Sequence, residues 1–494
     1  MRIDHEKKHT KPGRIDPSVS VLLRRITLIC VVGYLLLVGI FHFLTGEQLY
    51  LRESRRNVEL PTADSGATEL FAGNTVDQHF LVDIDEIQQI SVQWGTYYRP
   101  NAGTIVMELY DGETGTLLAS QSFDAATIAE GSVTTLTQGM PVRDMARKPL
   151  TLHIFSPDSQ PGSAVSPLMN TQEKMDYTSL SINGTQAEGV LCFSIKGRDY
   201  NWIGLHYWQL AAFGFALVLA ALALTWVKLY HGKSSYLISS ILAVRQYRFL
   251  IRQLVSRDFK TKYKRSVLGM VWSFLNPLLT TLVQYFVFST IFKNDIPYYA
   301  AYLLVGVVLF NFFNEVCSMS LYSILGNANL ITKVYMPKYI YPLTRVLSSI
   351  VNLGIALIPM VIVCLITGVR FEKSAILALY FILCLMIFCM GMAFLLSSAM
   401  VFFRDTQFLW SVFSMIWMYA TPIFYPETIL PEEFKFVLKI NPLYHFLKNT
   451  RICLLSGISP EPNAYFQCML IALAVLGLGA WVFKKCQDKF VLYL

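Results

Sequence analysis

Residues 257–279 read RDFKTKYKRSVLGMVWSFLNPLL, and this stretch joins a cationic segment directly to an uncharged apolar run. Upstream, over residues 244–266, apolar side chains recur at the spacing of one helix face, and arginines and lysines fill much of the rest. This pattern predicts an amphipathic helix on the cytoplasmic membrane surface, with apolar residues at the acyl boundary and cations toward lipid phosphates. Its role is either a cationic ledge for an anionic lipid headgroup or a plain positively charged anchor. The candidate headgroup residues are Arg257, Lys260, Lys262, Lys264 and Arg265.

Apolar runs like the one after residue 267 recur along the chain. Of its 494 residues, 54% are hydrophobic and 15% are charged, whereas a soluble globular protein carries about 25% charged residues. Since about 20 helical residues cross a bilayer core about 30 Å thick, runs of that length predict membrane spans. This composition excludes a soluble enzyme and a secreted domain. Eight runs qualify, namely Ile26–Leu44, Trp208–Val227, Val271–Phe292, Tyr299–Met319, Val346–Gly368, Ser374–Phe402, Gln407–Phe424 and Ala464–Phe483.

The distribution of lysine and arginine between the loops sets the expected orientation. With a cytoplasmic N-terminus, the inner segments hold 24 of these residues and the three short outer loops hold seven. We therefore predict a multi-pass protein of the bacterial cytoplasmic membrane with both termini in the cytoplasm. The predicted order is a cytoplasmic tail (1–25), a signal-anchor span (26–44), an extracytoplasmic domain (45–207), a second span (208–227), a cytoplasmic linker with the amphipathic helix (228–266) and a six-span domain (267–494).

Residues 45–207 differ in character from the rest of the chain. They hold 20 of the 33 acidic residues and ten of the 41 basic residues, so their formal charge is −10. Apolar and polar residues alternate at 90–94, 105–109 and 150–154, which predicts half-buried strands. Asn183-Gly184 predicts a hairpin between residues 180–182 and 190–195, because both turn residues tolerate positive φ. We predict an all-β, sandwich-like extracytoplasmic domain inserted into a polytopic α-helical membrane protein.

Aromatic residues cluster on one predicted strand of this domain. Trp94, Tyr97 and Tyr98 lie beside Arg99, and aromatic faces of this kind suit the stacking of sugar rings. Aromatic residues on a strand also serve as core. The sequence leaves both interpretations open.

The C-terminal half carries short motifs in a fixed order. After the segment 257–279 come Asn329-Leu330-Ile331-Thr332-Lys333 with Met336-Pro337, then Phe403-Arg404-Asp405, Thr421-Pro422-Ile423-Phe424-Tyr425 and Asn441-Pro442-Leu443. In this order they resemble the membrane subunit of polysaccharide-exporting ABC transporters, the O-antigen and teichoic-acid exporter permeases. The resemblance covers about half of the 494 residues. Compact members of that family lack the first span and the large outer domain, and this chain departs from them there.

The resemblance implies a homodimer around a central channel, with each permease docked on a separate ATP-hydrolysing subunit. It also implies that the substrate is a polysaccharide linked to a polyprenyl phosphate, such as O-antigen, teichoic acid or a capsule or cell-wall glycan. The substrate's phosphate would meet the cations of residues 257–265, while its lipid tail stays among the membrane lipids. The inner loop would couple to the ATPase through Asn329, Leu330, Ile331, Lys333, Met336 and Pro337. The alternative for that loop is an ordinary inner loop with conventional positive charges.

A sugar chain in transit needs weak contacts along its whole length, and aromatic faces supply them without one fixed hydrogen-bond pattern. The candidate channel residues are Trp272, Phe274, Tyr285, Phe288, Trp417, Tyr419 and Phe424, with Trp410 as a further candidate. Each of them also suits packing, and we expect three or four to line the path. Glu315 is the one carboxylate inside a predicted span, where snorkelling to the membrane surface, pairing with a basic loop residue or a coupling role is expected.

The sequence carries no recognisable nucleotide-binding or metal-binding motif. Gly232-Lys233-Ser234 lacks the glycine that a phosphate-binding loop needs five positions earlier, where Val227 stands. We therefore expect no cofactor in this chain, with ATP and Mg²⁺ bound by the partner ATPase, and no nucleic-acid partner. Two other classes are weighed against the exporter: a membrane-embedded glycan polymerase or glycosyltransferase, and a sensor with a carbohydrate-binding outer domain. The outer loops show no paired-aspartate motif for the former, and the inner segments show no signalling domain for the latter.

Overall fold

A computed structural model describes residues 17–54, 60–172, 178–231, 242–262, 269, 271–292, 296–333 and 336–493. The chain divides into two compact units. One is Tyr50–His206, the β unit, and the other, the helical unit, combines Met1–Leu49 with Tyr207–Leu494.

The helices are α1 (Pro17–Thr45), α2 (Trp202–Leu205), α3 (Tyr207–Tyr230), α4 (Arg248–Lys262), α5 (Val271–Phe292), α6 (Tyr299–Leu321), α7 (Ala328–Lys333), α8 (Ile340–Ile366), α9 (Ala378–Phe402), α10 (Thr406–Tyr419), α11 (Lys435–Ile440), α12 (Pro442–Leu455), α13 (Pro462–Cys486) and α14 (Phe490–Tyr493). All except α2 belong to the helical unit.

Six helical stretches among the described residues are long and apolar enough to cross a membrane, and they centre on α1, α3, α6, α8, α9 and α13. The sequence predicted eight. The apolar part of α5 is the shorter Phe274–Ser289, and α10 has 14 residues, which is about 21 Å of helix. Beyond α10 the chain continues without helix through the buried residues Thr421, Ile423 and Phe424. Irregular backbone of this kind is tolerated at membrane depth where protein surrounds it.

Helix α6 is the most deeply enclosed element of the helical unit, because its buried residues face almost every direction. Helices α9 and α13 meet backbone to backbone at Gly391 and Gly479: a Cβ on Gly479 would lie 2.3 Å from the Gly391 carbonyl oxygen. Small residues let helices approach this closely in membranes. In contrast, α3 has no buried residue. It is tied to α1 by hydrogen bonds that include the Tyr34 hydroxyl donating to the Ala211 carbonyl at 2.8 Å.

Loops that the sequence assigns to the same side of the membrane meet at the same end of the helical unit. At one end, which we call the Arg345 end, the Lys338 ammonium donates to the Gln487 carbonyl at 2.5 Å. At the other, the Tyr299 end, the Tyr299 hydroxyl donates to the Phe424 carbonyl at 2.7 Å. The alternation of the loops between the two ends agrees with successive crossings. The assignment of the Arg345 end to the cytoplasm stays a prediction.

The β unit contains two antiparallel sheets. Its strands are β1 (Leu51–Glu53), β2 (Ser65–Gly66), β3 (Thr75–Leu81), β4 (Glu86–Gly95), β5 (Thr104–Asp111), β6 (Leu117–Asp124), β7 (Val133–Leu136), β8 (Val142–Arg143), β9 (Pro149–Phe155), β10 (Ser166–Asn170), β11 (Ser179–Ile182), β12 (Thr185–Ala187), β13 (Val190–Leu191) and β14 (Phe193–Tyr200). One sheet has the order β1-β14-β4-β10-β13, with β2, β7 and β8 on its flanks, and the other has the order β12-β11-β3-β9-β5-β6.

Residues from both sheets form one apolar core. The alternating residues of β4, β5 and β9 contribute to it, and Trp94 is fully buried there. The hairpin at Asn183-Gly184 forms, with φ of 52° and 77° at the two turn residues. Its second strand is β12 rather than the predicted 190–195, because β13 pairs with β10 and β14 pairs with β4 in the opposite sheet.

Candidate functional site

The surface helix α4 places its apolar side against protein. Ile251 and Leu254 are buried, and Ile251 packs in a cluster with Met336, Ile340 and Phe490 at the Arg345 end. The sequence placed these apolar residues at the acyl boundary of the lipid, and the structure differs on this point. The reason is that Ile340 of α8 and Phe490 of α14 pack against Ile251, whereas Leu250, Val255 and Phe259 on the same side of α4 are only half-buried.

Two carboxylates hold α4 to the helical unit, and the sequence interpretation missed the first. Asp258, whose side chain is 4% exposed, accepts from the Arg345 guanidinium of α8 at 2.6 Å. The Ser348 hydroxyl also approaches Asp258, at 3.5 Å. Asp258 lies four residues after Leu254, on the apolar side of α4. A carboxylate at that position in the sequence predicts a basic residue that pairs with it in the interior.

The second carboxylate is Glu315 of α6. It accepts from the Lys262 ammonium at 2.8 Å and from the Asn352 amide at 2.6 Å. Glu315 thus pairs with a basic residue, which is one of the three alternatives expected for it. A carboxylate near the end of a membrane helix is stabilised by such a partner.

The predicted headgroup cations are not equivalent in the structure. Arg257 is exposed but contacts Asp258 at 3.2 Å and the Asn327 amide oxygen at 3.3 Å. Lys262 is committed to Glu315, and Lys260 is exposed. Lys264 and Arg265 lie outside the described residues, as does the segment 232–234. Of the three predicted headgroup cations that the structure describes, Lys260 is therefore the one that is exposed without a contact to a carboxylate of the described residues.

The predicted coupling residues divide into an exposed and an anchoring group. Asn329, Leu330 and Lys333 are exposed on α7. Ile331 and Met336 pack into the apolar cluster that also receives α4. Pro337 is half-buried at the entry to α8. This arrangement makes α7 a short helix that is fixed on one side and presents three neighbouring side chains on the other.

The predicted channel aromatics also divide by burial. Phe424 and Trp410 are buried, and Trp417 packs against Phe313 at 5.1 Å between ring centroids. Phe424 stacks on Phe288 at 5.4 Å. The four candidate rings among them, Phe288, Trp410, Trp417 and Phe424, belong to the packing of one chain.

Exposed rings remain available along α5 and α10. Trp272, Tyr285 and Tyr419 are exposed, while Phe274 is half-buried. Tyr285 adjoins Tyr299 at 6.1 Å, and Tyr419 adjoins Phe424 at 6.4 Å. Of the candidate rings, Phe288 and Tyr419 therefore adjoin Phe424, and Tyr285 and Tyr419 are exposed.

Two of the sequence motifs meet at the Tyr299 end through Asn441. Its side-chain oxygen caps α12 by accepting from the Leu443 amide at 3.1 Å, and it also accepts from the Trp417 indole at 2.7 Å. Its amide nitrogen donates to the Thr421 hydroxyl at 2.9 Å. Asparagine is among the favoured residues at this capping position because its side chain satisfies a free backbone N–H.

Arg451 of α12 lies at the same end and was not singled out from the sequence. Its guanidinium donates to the Pro422 carbonyl at 2.6 Å, to the Ile423 carbonyl at 2.9 Å and to the Tyr302 carbonyl at 2.9 Å. Gly306 makes room for it, since a Cβ there would lie 2.4 Å from the guanidinium. Arg451 therefore ties the irregular segment after α10 to α6.

Part of the helical unit is similar to known proteins. Residues 250–455 match the family described as ABC-2 type transporter. An O-antigen export system permease protein RfbA of Klebsiella pneumoniae is 30% identical over 244 residues, which are 49% of this chain and 93% of that protein. This chain belongs to the polysaccharide ABC exporter permeases.

More distant members of the family show a similar extent of likeness. The RfbA permease of Myxococcus xanthus is 25% identical over 247 residues, which are 50% of this chain and 95% of that protein. The polysialic acid transport protein KpsM of Escherichia coli is 22% identical over 251 residues, which are 49% of this chain and 95% of that protein. The permease is therefore a multi-pass inner-membrane protein and a transport subunit rather than a catalytic enzyme.

The β unit of the permease lies outside the matched residues 250–455 and carries its own exposed aromatic pair. Tyr97 and Tyr98 both have a φ of 55°, and Tyr98 is 89% exposed. The Thr96 hydroxyl and amide donate to Glu130 at 2.7 and 2.6 Å, and these bonds hold the pKa of the Glu130 carboxyl below its usual value. Backbone held at positive φ in this way is a mark of functional loops.

Further contacts fix the loop that carries this pair. Arg99 pairs with Glu69 and lies over the Tyr97 ring at 4.9 Å. Of the residues predicted as a sugar-stacking platform, Trp94 is therefore core, whereas Tyr97, Tyr98 and Arg99 are at the surface.

Proposed function

We propose that the permease is the transmembrane subunit of an ATP-driven exporter that moves a lipid-linked polysaccharide across the cytoplasmic membrane. The similarity to permeases of O-antigen, capsule and polysialic acid export supports the class of cargo. The lipid carrier, a polyprenyl phosphate, is the finer part of the proposal. It is supported by the position of exposed Lys260 and Arg257 beside the Arg345 end.

The proposal includes a separate ATPase that docks on α7. The observation that carries it is the division of α7 into an anchored side and an exposed side. Ile331 packs against the apolar cluster that includes Ile251 of α4, while Leu330 and Lys333 are exposed. A partner that pushes on α7 would act directly on α4 and α8, since all three share that cluster.

The proposed arrangement is a homodimer with eight spans per chain, both termini in the cytoplasm and a β-sandwich domain outside. Helix α10 would then be a short span, with the remaining distance covered by the irregular backbone after it, and α5 would cross with the shorter apolar part Phe274–Ser289. Exposed apolar residues on α5 and α10, including Phe286 and Phe413, give these helices surfaces for lipid or for a second copy. The exposed rings Trp272, Tyr285 and Tyr419 would face the path of the sugar chain.

The test is co-purification of the tagged full-length permease from its native host in mild detergent. An ABC-type ATPase at one-to-one stoichiometry is the expected result. Leu330→Glu and Lys333→Glu should each reduce its recovery at least tenfold, because they place a carboxylate in the docking surface. Lys489→Glu is the matched control: it reverses an exposed charge at the same end, outside α7.

The outcomes separate the parts of the proposal. Loss of the ATPase in the α7 variants alone would support the coupling role. Equal recovery in all three variants would overturn it and leave the class of transporter intact. Absence of any ATPase from gently extracted wild-type protein would overturn the ATP-driven mechanism.

For the β unit we propose a role in holding the exported sugar chain, with Tyr97 and Tyr98 as the stacking surface. The exposed Tyr98 ring, on a loop held by Thr96 and Glu130, supports this role, since a preorganised loop loses little entropy on binding. Binding of the purified glycan to full-length protein should weaken at least fivefold in Tyr98→Ala. The control is Leu117→Ala, another exposed apolar residue of the β unit. Equal binding by both variants would contradict the role.

A further inference from the structure

A cavity of about 440 Å³ opens at the Tyr299 end of the helical unit. Ligand sites commonly have volumes of about 300–1,000 Å³, with apolar walls and a few polar groups. The walls here follow that description. Apolar side chains from the loop before α6 and from α12 form much of the lining, and they include Ile296, Leu447, Ile452 and Leu455.

The polar part of the lining centres on Arg451, which is 7% exposed. All its hydrogen-bond partners are neutral backbone carbonyls, and its guanidinium lies over the Tyr302 ring at 3.4 Å. Within the described part of the chain, no carboxylate comes within 4.0 Å of Arg451. A buried cation without a counter-charge is costly even when its N–H groups are bonded.

The other charged groups of the cavity cancel one another. Lys448 donates to Glu427 at 3.0 Å and to the Tyr444 hydroxyl at 2.9 Å, and the same hydroxyl donates to Glu427. Of the described lining residues, Glu427, Lys448 and Arg451 are the charged ones. The cavity wall therefore carries one net positive charge.

An anion attached to an apolar chain would complement both features. We propose that this cavity binds the phosphate group of a membrane lipid, with the phosphate between Lys448 and Arg451 and the first part of the lipid chain along Leu447 and Leu455. The phosphate belongs either to a bilayer phospholipid or to a polyprenyl phosphate, since the two share this chemistry. The proposed lipid site requires only that the chain lies in a membrane. It can therefore be correct even if the proposed cargo or the proposed ATPase is wrong, and the reverse also holds.

The experiment is native mass spectrometry of the full-length permease in detergent, titrated with defined lipids. The probes are phosphatidylglycerol, undecaprenyl phosphate and, as the phosphate-free lipid, diacylglycerol. Lys448→Gln lowers the net charge of the wall to zero, and we expect the retention of phosphate lipids to fall at least tenfold. Lys439→Gln removes an exposed charge of neighbouring α11 outside the cavity and is the matched control.

A second variant changes the charge of the cavity wall in the opposite direction and distinguishes an effect of charge from general damage to the cavity. Glu427→Gln raises the net charge of the wall and should tighten the binding of phosphate lipids, whereas general damage to the cavity would weaken binding in both variants. A fall for undecaprenyl phosphate alone would assign the site to a polyprenyl carrier, and equal falls would assign it to any phosphate lipid. The proposal is overturned if Lys448→Gln binds like Lys439→Gln, or if diacylglycerol binds as well as phosphatidylglycerol.

Discussion

Replacement of Asp258 by alanine is expected to release the surface helix α4 from the helical unit. The Asp258 carboxylate is 4% exposed and its partner Arg345 is 16% exposed, so the pair is largely removed from water. Removal of one partner from a buried ion pair costs about 3–5 kcal/mol, because the other charge is left without compensation. We take the lower bound of this range, about 3 kcal/mol. Arg257 also loses its contact with Asp258, but this side chain is exposed, so that loss adds little.

That loss has a measurable local consequence. A change of about 3 kcal/mol in the free energy of local opening is about a hundredfold change in the opening equilibrium, at about 1.4 kcal/mol for each factor of ten. Hydrogen–deuterium exchange of the full-length protein in nanodiscs reports this opening for the amides of Arg248–Lys262. Asp258→Ala should accelerate their exchange by up to that factor.

The matched control is Lys260→Ala, which adds the same alanine two residues away in the same helix. Lys260 is exposed, so its replacement should change the exchange less than threefold. A second check replaces both partners by apolar residues, as Asp258→Leu with Arg345→Met, which should restore much of the protection. If Asp258→Ala exchanges no faster than Lys260→Ala, the carboxylate does not hold α4 and the reasoning is refuted.

Three further results are expected. Gly479→Ala should lower the free energy of unfolding of the detergent-solubilised protein by about 1–3 kcal/mol, because the added Cβ would meet the backbone of α9. The control is Gly477→Ala on the same helix, whose Cβ would meet nothing within 4 Å and should leave the melting temperature unchanged. Equal melting temperatures for the two variants would contradict the close contact. The hydrogen bond from His153 to Asp77 raises the pKa of His153, so the stability it contributes is complete below about pH 6.5 and is lost as pH rises through the higher folded pKa. Exchange of β3 and β9 amides, corrected for intrinsic pH effects, should show that loss in wild type and not in His153→Gln. Lys262→Gln should cost less than about 1 kcal/mol by chemical denaturation, since this side chain is 43% exposed, and a larger loss would show that the pair acts as a buried one.

The sequence was sufficient to predict strands and turns where the determining contacts are local. Alternation at 90–94 and 105–109 identified residues that the structure buries, because period two places alternate side chains on one face. The turn at Asn183-Gly184 formed for the same reason, since positive φ is a property of those two residues. The second strand of this hairpin could not be predicted, because β13 pairs with β10, whose residues lie about 20 positions away along the chain.

The candidate site was predictable by region but not by role. Five cations between 257 and 265 form one pattern in the sequence, yet the structure separates Arg257 and Lys262, which contact carboxylates, from Lys260. The distinction depends on Asp258 and Glu315. Arg345, the main partner of Asp258, is 87 residues away along the chain, and no periodicity links them.

Arg451 escaped notice because its partners have no side-chain signature. Its acceptors are backbone carbonyls, which every residue possesses. Arg451 and Arg345 differ in their partners: Arg451 has no carboxylate of the described residues among its hydrogen-bond acceptors, whereas Arg345 pairs with Asp258. The Arg451 guanidinium bonds three carbonyls and lies over an aromatic ring, so much of its lost hydration is replaced. The Nε of Arg345 is buried without any partner, so its charge relies on Asp258. Removal of the Asp258 carboxylate should therefore destabilise the protein more than removal of a bound anion from Arg451. The cavity at Arg451 can for this reason release and rebind an anion without loss of the fold.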